Sequence, residues 1–357
     1  MMLPPELPVM DKGLDITPIY QKSKSQVVDQ SQENLHWHVC YDFVVEDRYA
    51  ITGATGLLGS HLIKKLKAKG KTISVLIRDE NAKSLLIDDI NKFYGDISDR
   101  QDVDYFIQRT NPTHFIHLAA QTQAYESLKY PYSTFYNNVL GTLNILESLK
   151  DFNECKAIVV ASSDKAYGSL IYEKYTETHP LNGIYPYDAS KSATDIISNS
   201  YRQTYNLPIV TTRACNIYGE GDYNTQRIIP GIIHAFIKKE KFVIRNGGKD
   251  YREYIHVDDL AECYLQIIEF IEEVNSIPSF NITSRDGCTT LDLFEMIQDL
   301  VGSPISHEIS FNPSLEIKKQ VMDDSLLRNN LNWKSDKTLN DSLPSVVEWY
   351  LQNLSSS

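Results

Sequence analysis

Three side chains have the types and spacing needed to remove a proton from a hydroxyl group. Tyr187 and Lys191 stand four positions apart, which places both on one face of a helix. The Lys191 ammonium would lower the pKa of the Tyr187 phenol from ~10 toward the working pH, so that Tyr187 becomes a usable base. Ser163 ends a preceding strand and would hydrogen-bond the same hydroxyl. We therefore predict a hydride-transfer site in which Tyr187 takes the proton as hydride moves to a nicotinamide, while Lys191 also binds the cofactor ribose.

A glycine-rich turn at 52–59 provides a place for such a cofactor. The sequence TGATGLLG follows an apolar strand and precedes a helix. Gly53 would allow the tight turn, Gly56 would let the backbone approach a pyrophosphate, and Gly59 would let helix and strand pack closely. The turn therefore predicts dinucleotide binding, with a glycine-rich turn that binds no ligand as the alternative.

The elements that must position these residues alternate along the chain. Apolar, β-branched runs at 72–78, 91–96, 114–120 and 156–163 are separated by amphipathic helices. This order predicts a Rossmann-type, doubly wound parallel sheet of the α/β class, whose ligands bind at the carboxyl ends of the strands. We expect residues 48–215 to form this dinucleotide-binding domain. Residues 216–357 would mainly form a smaller, mixed α/β lobe that binds substrate, with the chain crossing back to the first domain.

The end of the second predicted strand leaves the form of the cofactor open. An acidic residue there would bind the 2′-hydroxyl of NAD, whereas an arginine can accept the 2′-phosphate of NADP. This chain has Arg78 followed by Asp79, so NAD and NADP both stay open. Asp96 closes the third strand and is placed to meet the adenine amino group, with helix capping by the turn at 96–99 as the alternative.

Composition excludes several classes of partner. The 357-residue chain is 42% hydrophobic and can bury a large core. Its net charge of −12 argues against nucleic acid and anionic membrane surfaces, which favour clustered Lys and Arg. The five cysteines lack metal-binding spacing, and no apolar run reaches the ~18–20 residues of a membrane span. We expect a cytoplasmic protein with free thiols and without a metal site.

Seven ordered motifs carry a family resemblance. They are TGATGLLG (52–59), HLAA (117–120), YNNVLGT (136–142), SSDKAYG (162–168), YDASK (187–191), RACNIYG (213–219) and REYIHVDD (252–259). Over about residues 48–352 the chain resembles the extended short-chain dehydrogenase/reductase superfamily, and within it the NAD-dependent epimerases and dehydratases. The resemblance implies a nucleotide-diphosphate sugar as substrate and a homodimer formed across the helix at 187–203 and its neighbour. Residues 1–47 form an N-terminal arm outside it, of unknown role.

The two residues after Ser163 decide which activity the resemblance implies. Asp164-Lys165 resembles the pair found in nucleotide-sugar 4,6-dehydratases, notably the CDP-glucose type, whereas epimerases usually have small or apolar residues there. By resemblance, Asp164 would be the acid at the C6 oxygen, and Lys165 would act at C5 or stabilise the enolate. Both would act after C4 is transiently oxidised by a tightly bound NAD or NADP that is regenerated in each cycle. A 4-epimerase or related oxidoreductase is the alternative, with Asp164 and Lys165 as a solvated ion pair.

These assignments complete the candidate site. For the cofactor, the residues are Gly53, Thr55, Gly56, Leu57, Leu58, Gly59, Arg78, Asp96, Ile97, Leu118, Ala119, Ala120, Tyr187 and Lys191. For the substrate, they are Gln121, Asn138, Asn216, Arg227 and Arg252. By resemblance, the two arginines and Asn216 hold the diphosphate, a task that suits a planar guanidinium. Either arginine could instead be a surface residue paired with Glu220, Asp250 or Glu253.

Overall fold

Short apolar and β-branched runs form the strands of the protein, which a computed structural model describes over residues 46–81, 85, 88–169, 172–274, 278–311 and 317–354. The predicted arm at 1–47 lies outside the described residues, apart from its last two. In chain order the strands are β1 (Arg48–Thr52), β2 (Thr72–Ile77), β3 (Asn91–Tyr94), β4 (His114–His117), β5 (Ala157–Ala161), β6 (Ile209–Ala214), β7 (Asn216–Tyr218), β8 (Phe242–Ile244), β9 (Tyr251–His256), β10 (Ser279–Ile282), β11 (Gly287–Thr289) and β12 (His307–Ile309).

Seven of the described strands form one parallel sheet in the order β3-β2-β1-β4-β5-β6-β10. β1 pairs with β2 on one side and with β4 on the other, so the winding reverses at β1 and a crevice opens at the carboxyl ends of these strands. The predicted Rossmann-type, doubly wound sheet is confirmed. The C-terminal part of the chain contributes β10, which pairs with β6, and two smaller sheets contain β7, β9 and β11, and β8 and β12.

Amphipathic segments form the helices, of which the last two follow the final strand and the others lie between strands. They are α1 (Leu57–Ala68), α2 (Arg100–Thr110), α3 (Ala124–Lys129), α4 (Pro131–Phe135), α5 (Gly141–Leu149), α6 (Pro186–Tyr205), α7 (Ile228–Lys238), α8 (Val257–Glu273), α9 (Thr290–Val301), α10 (Ser325–Leu331) and α11 (Leu339–Leu354). The helix predicted between the fourth and fifth strands is divided by a π-helical turn over Tyr136–Leu140. Within the described ranges, no helix combines the length and the apolar character that crossing a bilayer requires.

Both faces of the large sheet are covered by helices that bury one apolar side. α1 and α8 contact each other on one face, where Leu62 and Ile267 are buried. α2 and α5 cover the other face with Phe106 and Leu146. A separate apolar cluster joins α7, α9 and α11, and these helices with the two smaller sheets are called the lobe below. Burial of one face of each helix against the strands is what fixes the carboxyl edge of the sheet in place.

One buried ion pair connects the sheet to α6. Arg213 on β6 donates two hydrogen bonds to Asp195 on α6, at 2.7 and 2.9 Å, and a third to the Tyr167 hydroxyl at 2.6 Å. Tyr167 in turn donates to Asn281 on β10 at 2.7 Å. The side chains of Arg213 and Asp195 are only 7% and 4% exposed, so neither charge can be solvated if the other is removed.

Asp195→Ala should therefore destabilise the fold strongly. Removing one partner of a buried pair leaves the other charge uncompensated, which costs about 3–5 kcal/mol of unfolding free energy. Urea unfolding of the variant and the wild type measures this loss. The control is Glu308→Ala, whose pairing with Lys241 is 59% exposed on both sides and should contribute less than about 1 kcal/mol. Equal losses at the two positions would contradict the role given to the buried pair.

Candidate active site

The glycine-rich turn lets α1 pack directly against the end of β1. Gly53 has a φ of +74°, and a Cβ there would lie 2.6 Å from the Ala119 backbone nitrogen. A Cβ on Gly59 would lie 2.3 Å from the Gly53 carbonyl oxygen, so α1 would have to move away from the turn. The first turn of α1 has no acidic residue, and Gly56 caps it without a side chain. Its amide groups and the positive end of the helix dipole therefore suit an anion such as a diphosphate.

A cleft of about 1680 Å³ extends from this turn along the sheet edge into the lobe. Pockets for one small ligand typically hold ~300–1,000 Å³, so this cleft has room for two adjacent ligands. The predicted residues that line it are Gly53, Thr55, Gly56, Leu57, Leu58, Gly59, Arg78, Asp96, Ile97, Leu118, Ala119, Ala120, Gln121, Ser163, Asp164, Lys165, Tyr187, Lys191, Asn216, Arg227 and Arg252.

Asn138 lies behind the wall of the cleft. Its side-chain oxygen accepts a hydrogen bond from the Gln121 backbone nitrogen at 2.7 Å. Its amide nitrogen donates to the Gln121 carbonyl at 3.0 Å and to the Ser190 hydroxyl at 2.9 Å. Asn138 therefore connects the backbone of Gln121 to α6, and the sequence alone does not distinguish this position from one that faces the substrate.

Arg78 faces the cleft at the end of β2, while Asp79 is absent from the described lining. The Asp79 carboxylate accepts a hydrogen bond from the Asn81 backbone nitrogen at 2.9 Å. An Arg78 guanidinium nitrogen lies 4.0 Å from an Asp96 carboxylate oxygen. Asp99 is the residue that caps α2, accepting from the Gln101 backbone nitrogen at 2.8 Å. The Asp96 side chain also accepts from the Ser98 backbone nitrogen at 2.9 Å and from the Ser98 hydroxyl at 2.7 Å, and Arg78 and Asp96 line the same end of the cleft.

The residues after β5 form a connected polar turn. The Ser163 hydroxyl donates to Asp164 Oδ1 at 2.9 Å. Lys165 Nζ donates to the same oxygen at 3.3 Å and to the Asn216 side-chain oxygen at 3.3 Å. Asp164 is only 2% exposed, so the ion pair considered above exists but is buried in the cleft wall. A buried, hydrogen-bonded acid next to an amine is suited to proton transfer within the site.

Tyr187 and Lys191 lie at the start of α6 and both line the cleft. Burial raises the pKa of the Tyr187 phenol, an effect that its hydrogen bond with Ser163 opposes. This direction is opposite to the lowered pKa that the helical spacing predicts, because the spacing reports the neighbouring ammonium and not the loss of water. Burial also lowers the pKa of Lys191 to about 8. The Lys191 ammonium donates to the Ala161 carbonyl at 2.7 Å, which fixes it at the end of β5.

The lobe side of the cleft contains the predicted cations. Arg227 pairs with Asp222 at 2.9 Å, and not with the acidic residues considered from the sequence, and it also donates to the Thr122 hydroxyl at 3.3 Å. Arg252 on β9 donates to the Tyr251 carbonyl at 2.9 Å. Asn216 on β7 donates to the Glu253 carbonyl at 3.3 Å. A planar guanidinium of this kind can exchange its carboxylate partner for a phosphate.

Two buried residues next to the polar turn that carries Asp164 are not predicted from the sequence as part of the site. Glu253 accepts a hydrogen bond from the Met322 backbone nitrogen at 3.0 Å, and burial, with added repulsion from Asp164, raises its pKa to about 7. Gln320 donates from its side-chain amide to the Asp164 carbonyl at 2.7 Å. Glu253 stands next to Arg252 within the motif at 252–259, and this position in the motif is the signal by which the sequence could have identified it. Nothing in the sequence around Gln320 marks it.

The sheet, the glycine-rich turn and the cleft define a dinucleotide-binding enzyme of the Rossmann class. The chain belongs to the NAD-dependent epimerase/dehydratase family, whose model matches residues 49–283. The family predicted from the motifs is therefore confirmed.

Relatives of the chain carry two activities. It is 31% identical to a dTDP-D-glucose 4,6-dehydratase of Dictyostelium discoideum over 69% of this chain and 60% of the relative. It is 27% identical to a putative UDP-glucose 4-epimerase of Methanocaldococcus jannaschii over 85% of this chain and 98% of the relative. The chain thus spans less than two thirds of the Dictyostelium protein.

The fold is also that of solved structures in this family. The dTDP-glucose 4,6-dehydratase DesIV of Streptomyces venezuelae, solved with NAD bound, superposes with a TM-score of 0.78 at 23% identity. The match covers 86% of this chain and 97% of that one. At this identity the comparison establishes the fold.

Stability should depend on pH through Glu253. A carboxyl whose pKa is raised from 4.5 to about 7 in the folded protein binds its proton more tightly there than in the unfolded chain. The stability that the protonated carboxyl contributes is fully present below the unfolded-state pKa of 4.5. It is lost as pH rises through the folded-state pKa of about 7. Glu253→Gln cannot titrate, so the variant should gain up to about 3 kcal/mol over the wild type between about pH 4.5 and about pH 8.

Urea unfolding at both pH values measures this change. Glu348→Gln, at an exposed position on α11, is the control for replacing a carboxyl group by an amide. A difference at position 253 that is the same at both pH values would show that Glu253 does not titrate as assigned.

Proposed function

We propose that the protein is a nucleotide-sugar 4,6-dehydratase, which converts an NDP-hexose to an NDP-4-keto-6-deoxyhexose. The observation that supports this most is the hydrogen-bonded pair of buried Asp164 and partly buried Lys165 beside Ser163 in the cleft wall. An oxidation and reduction at C4 alone would not require this pair, whereas elimination of water across C5 and C6 requires both an acid and a base.

The residues present fit a bound NAD. A Cβ at Gly53 or Gly59 would collide with backbone atoms, so the turn is built for close approach to the end of α1. Gly53, Gly56 and the start of α1 would hold the diphosphate, and Arg78 with Asp96 would contact the adenosine. When bound, NAD would supply a ring that accepts hydride from C4 and returns it to C6 in the same cycle. We propose NAD, kept bound and regenerated in each cycle, since among the described residues that line the cleft beside β2 only Arg78 favours NADP.

Tyr187 and Lys191 would serve the oxidation. The Tyr187 phenolate takes the C4 hydroxyl proton as the C4 hydrogen leaves as hydride. Ser163 orients the hydroxyl, and Lys191 contributes positive charge and holds the ribose. The cost of ionising a buried phenol is met in part by the Ser163 hydrogen bond.

Asp164 and Lys165 would serve the elimination. In this proposal the Lys165 ammonium passes a proton to the Asp164 carboxylate across their 3.3 Å contact, which leaves Lys165 neutral. Neutral Lys165 then takes the C5 proton, the electron pair forms the C5–C6 double bond, and Asp164 protonates the C6 oxygen, which leaves as water. Hydride return to C6 and proton return from Lys165 to C5 give the product. The cycle then ends with Lys165 neutral and Tyr187 protonated. Ser163, which contacts Tyr187 and Asp164, provides the path by which this proton returns through Asp164 to Lys165.

The lobe would bind the nucleotide. Arg227, Arg252 and Asn216 line the cleft on that side, and a substrate diphosphate would displace Asp222 from Arg227. We infer a cytoplasmic enzyme, because the described cysteines are free and three of them, Cys155, Cys215 and Cys263, are buried.

The alternative is a 4-epimerase or a related oxidoreductase. The match to the archaeal epimerase covers more of both chains than the match to the Dictyostelium dehydratase. In an epimerase, Ser163, Tyr187 and Lys191 would act as above, but Asp164 and Lys165 would only support the turn.

Incubation with CDP-glucose, UDP-glucose, dTDP-glucose and GDP-mannose should give a 4-keto product from at least one, detected by its absorbance in alkali. Tyr187→Phe should lower turnover by about 10²–10⁴-fold and prevent formation of reduced nicotinamide. Asp164→Asn should also block product, but reduced nicotinamide should accumulate because only the elimination is lost. An epimerase would form no 4-keto-6-deoxy product and would keep its turnover in Asp164→Asn.

We also propose a homodimer formed across α5, α6 and the adjoining π-helical turn. This surface exposes Tyr136, Leu143 and Ile196, which is 58% exposed, although these helices are otherwise well packed. Apolar side chains on neighbouring helices suit a two-fold contact in which each residue meets its own copy or a near neighbour.

Ile196→Asp should convert a dimer to a monomer, because each copy would bury an unpaired carboxylate in an apolar interface. Light scattering should give twice the 40.8 kDa chain mass for the wild type and the single mass for the variant. Val243→Asp on β8 is the control, since Val243 is also exposed but lies away from these helices. A wild-type mass of one chain would exclude the dimer.

A further inference from the structure

The segment at 317–323 reaches back across the turn that carries Asp164. On one side its backbone pairs with β9, where the Tyr251 nitrogen donates to the Lys318 carbonyl at 2.9 Å. On the other side it pairs with Tyr175, whose nitrogen donates to the Val321 carbonyl at 3.0 Å. Glu253 accepts from the Met322 nitrogen at 3.0 Å. The segment is therefore held on both sides of Gln320.

Gln320 uses this rigid position to contact the turn. It is 2% exposed, and its amide nitrogen donates to the Asp164 carbonyl at 2.7 Å. Its side-chain oxygen is buried and accepts no hydrogen bond from the described residues. A buried amide that leaves one atom unpaired lowers the stability of the fold. Its presence is therefore poorly explained by stability alone.

The contacted carbonyl belongs to the peptide that joins Asp164 to Lys165. The orientation of this peptide decides where both side chains point, because each is attached to one of its ends. The side chains of the pair are bonded by Ser163 and Asn216, and the Ser163 hydroxyl also accepts from the Lys165 nitrogen of this peptide at 3.2 Å. Gln320 holds the carbonyl end of the same peptide. Gln320 thus contacts the backbone between the acid and the base, where it sets both at once.

We propose that Gln320 is a positioning residue for the elimination step, which orients Asp164 and Lys165 through the peptide between them. This inference depends on the proposed dehydratase function. It assigns to the C-terminal part of the chain a role in the second half of the reaction, while the oxidation at C4 depends on Tyr187, Lys191 and Ser163.

Gln320→Met keeps the approximate volume and removes the hydrogen-bond donor. With the nucleotide sugar that the wild type turns over, kcat should fall roughly 100-fold, the order expected for a misplaced catalytic group, with KM unchanged. Reduced nicotinamide should accumulate in a single turnover, because hydride still leaves C4 but cannot return to C6. Thermal stability should stay close to that of the wild type, since an unpaired buried oxygen is removed together with the donor.

Gln298→Met is the matched control. Gln298 lies on α9 in the lobe, and its side-chain oxygen accepts from the Ile305 nitrogen at 3.0 Å, so its replacement should leave kcat and the nicotinamide spectrum unchanged. If Gln320→Met does not fold, Gln320→Glu, which keeps the side-chain shape and replaces the amide donor by a carboxylate, is measured in the same way.

Three outcomes overturn the inference. Wild-type kcat in the Gln320 variant would show that the contact does not position the pair. Loss of turnover without accumulation of reduced nicotinamide would show that Gln320 acts on the whole site and not on the elimination. A wild-type enzyme that forms no 4-keto-6-deoxy product would exclude the dehydratase proposal itself, and this inference with it.

Discussion

The geometry of the candidate site depends on the hydrogen bonds and ion pair made by the buried guanidinium of Arg213. It bonds Asp195 on α6 and Tyr167, which closes the turn that begins with Asp164. α6 also carries Tyr187 and Lys191, so one buried cation connects the groups proposed for oxidation with those proposed for elimination. The Ser192 hydroxyl adds a second connection by donating to the Ala166 carbonyl at 2.8 Å. Because a buried charge must keep its partners, α6 and the turn cannot shift independently.

The backbone of the site could be predicted because the sequence encodes it locally. Apolar runs indicate β1, β2 and β5 whatever their partners are, and the glycines at 53 and 59 indicate where a helix packs tightly on a strand. Alternation of strands and helices then leaves few topologies, since parallel connections are right-handed and avoid crossing. The residues that line the cleft around the glycine-rich turn follow from these rules.

The partners of the polar side chains could not be predicted in the same way, because they come from distant parts of the chain. Gln320 meets Asp164 across 156 positions and Glu253 meets Met322 across 69. The helical spacing of Tyr187 and Lys191 identifies the pair correctly as neighbours in the cleft but does not report how much water they lose. Desolvation therefore reverses the predicted direction of the Tyr187 pKa shift.

The residues that serve the proposed oxidation and those that serve the proposed elimination also come from different parts of the chain. The groups for oxidation come from the end of β5 and from α6, within the large sheet and its helices. Apart from Ser163, the groups that hold Asp164 and Lys165 come from β7 and the segment at 317–323, beyond that part of the chain. An epimerase needs only the first set, since hydride returns to C4, whereas a dehydratase needs both. Changes confined to the turn and the segments that hold it would thus alter the fate of a 4-keto sugar and leave its formation intact, which is a physical reason why one fold can support both activities.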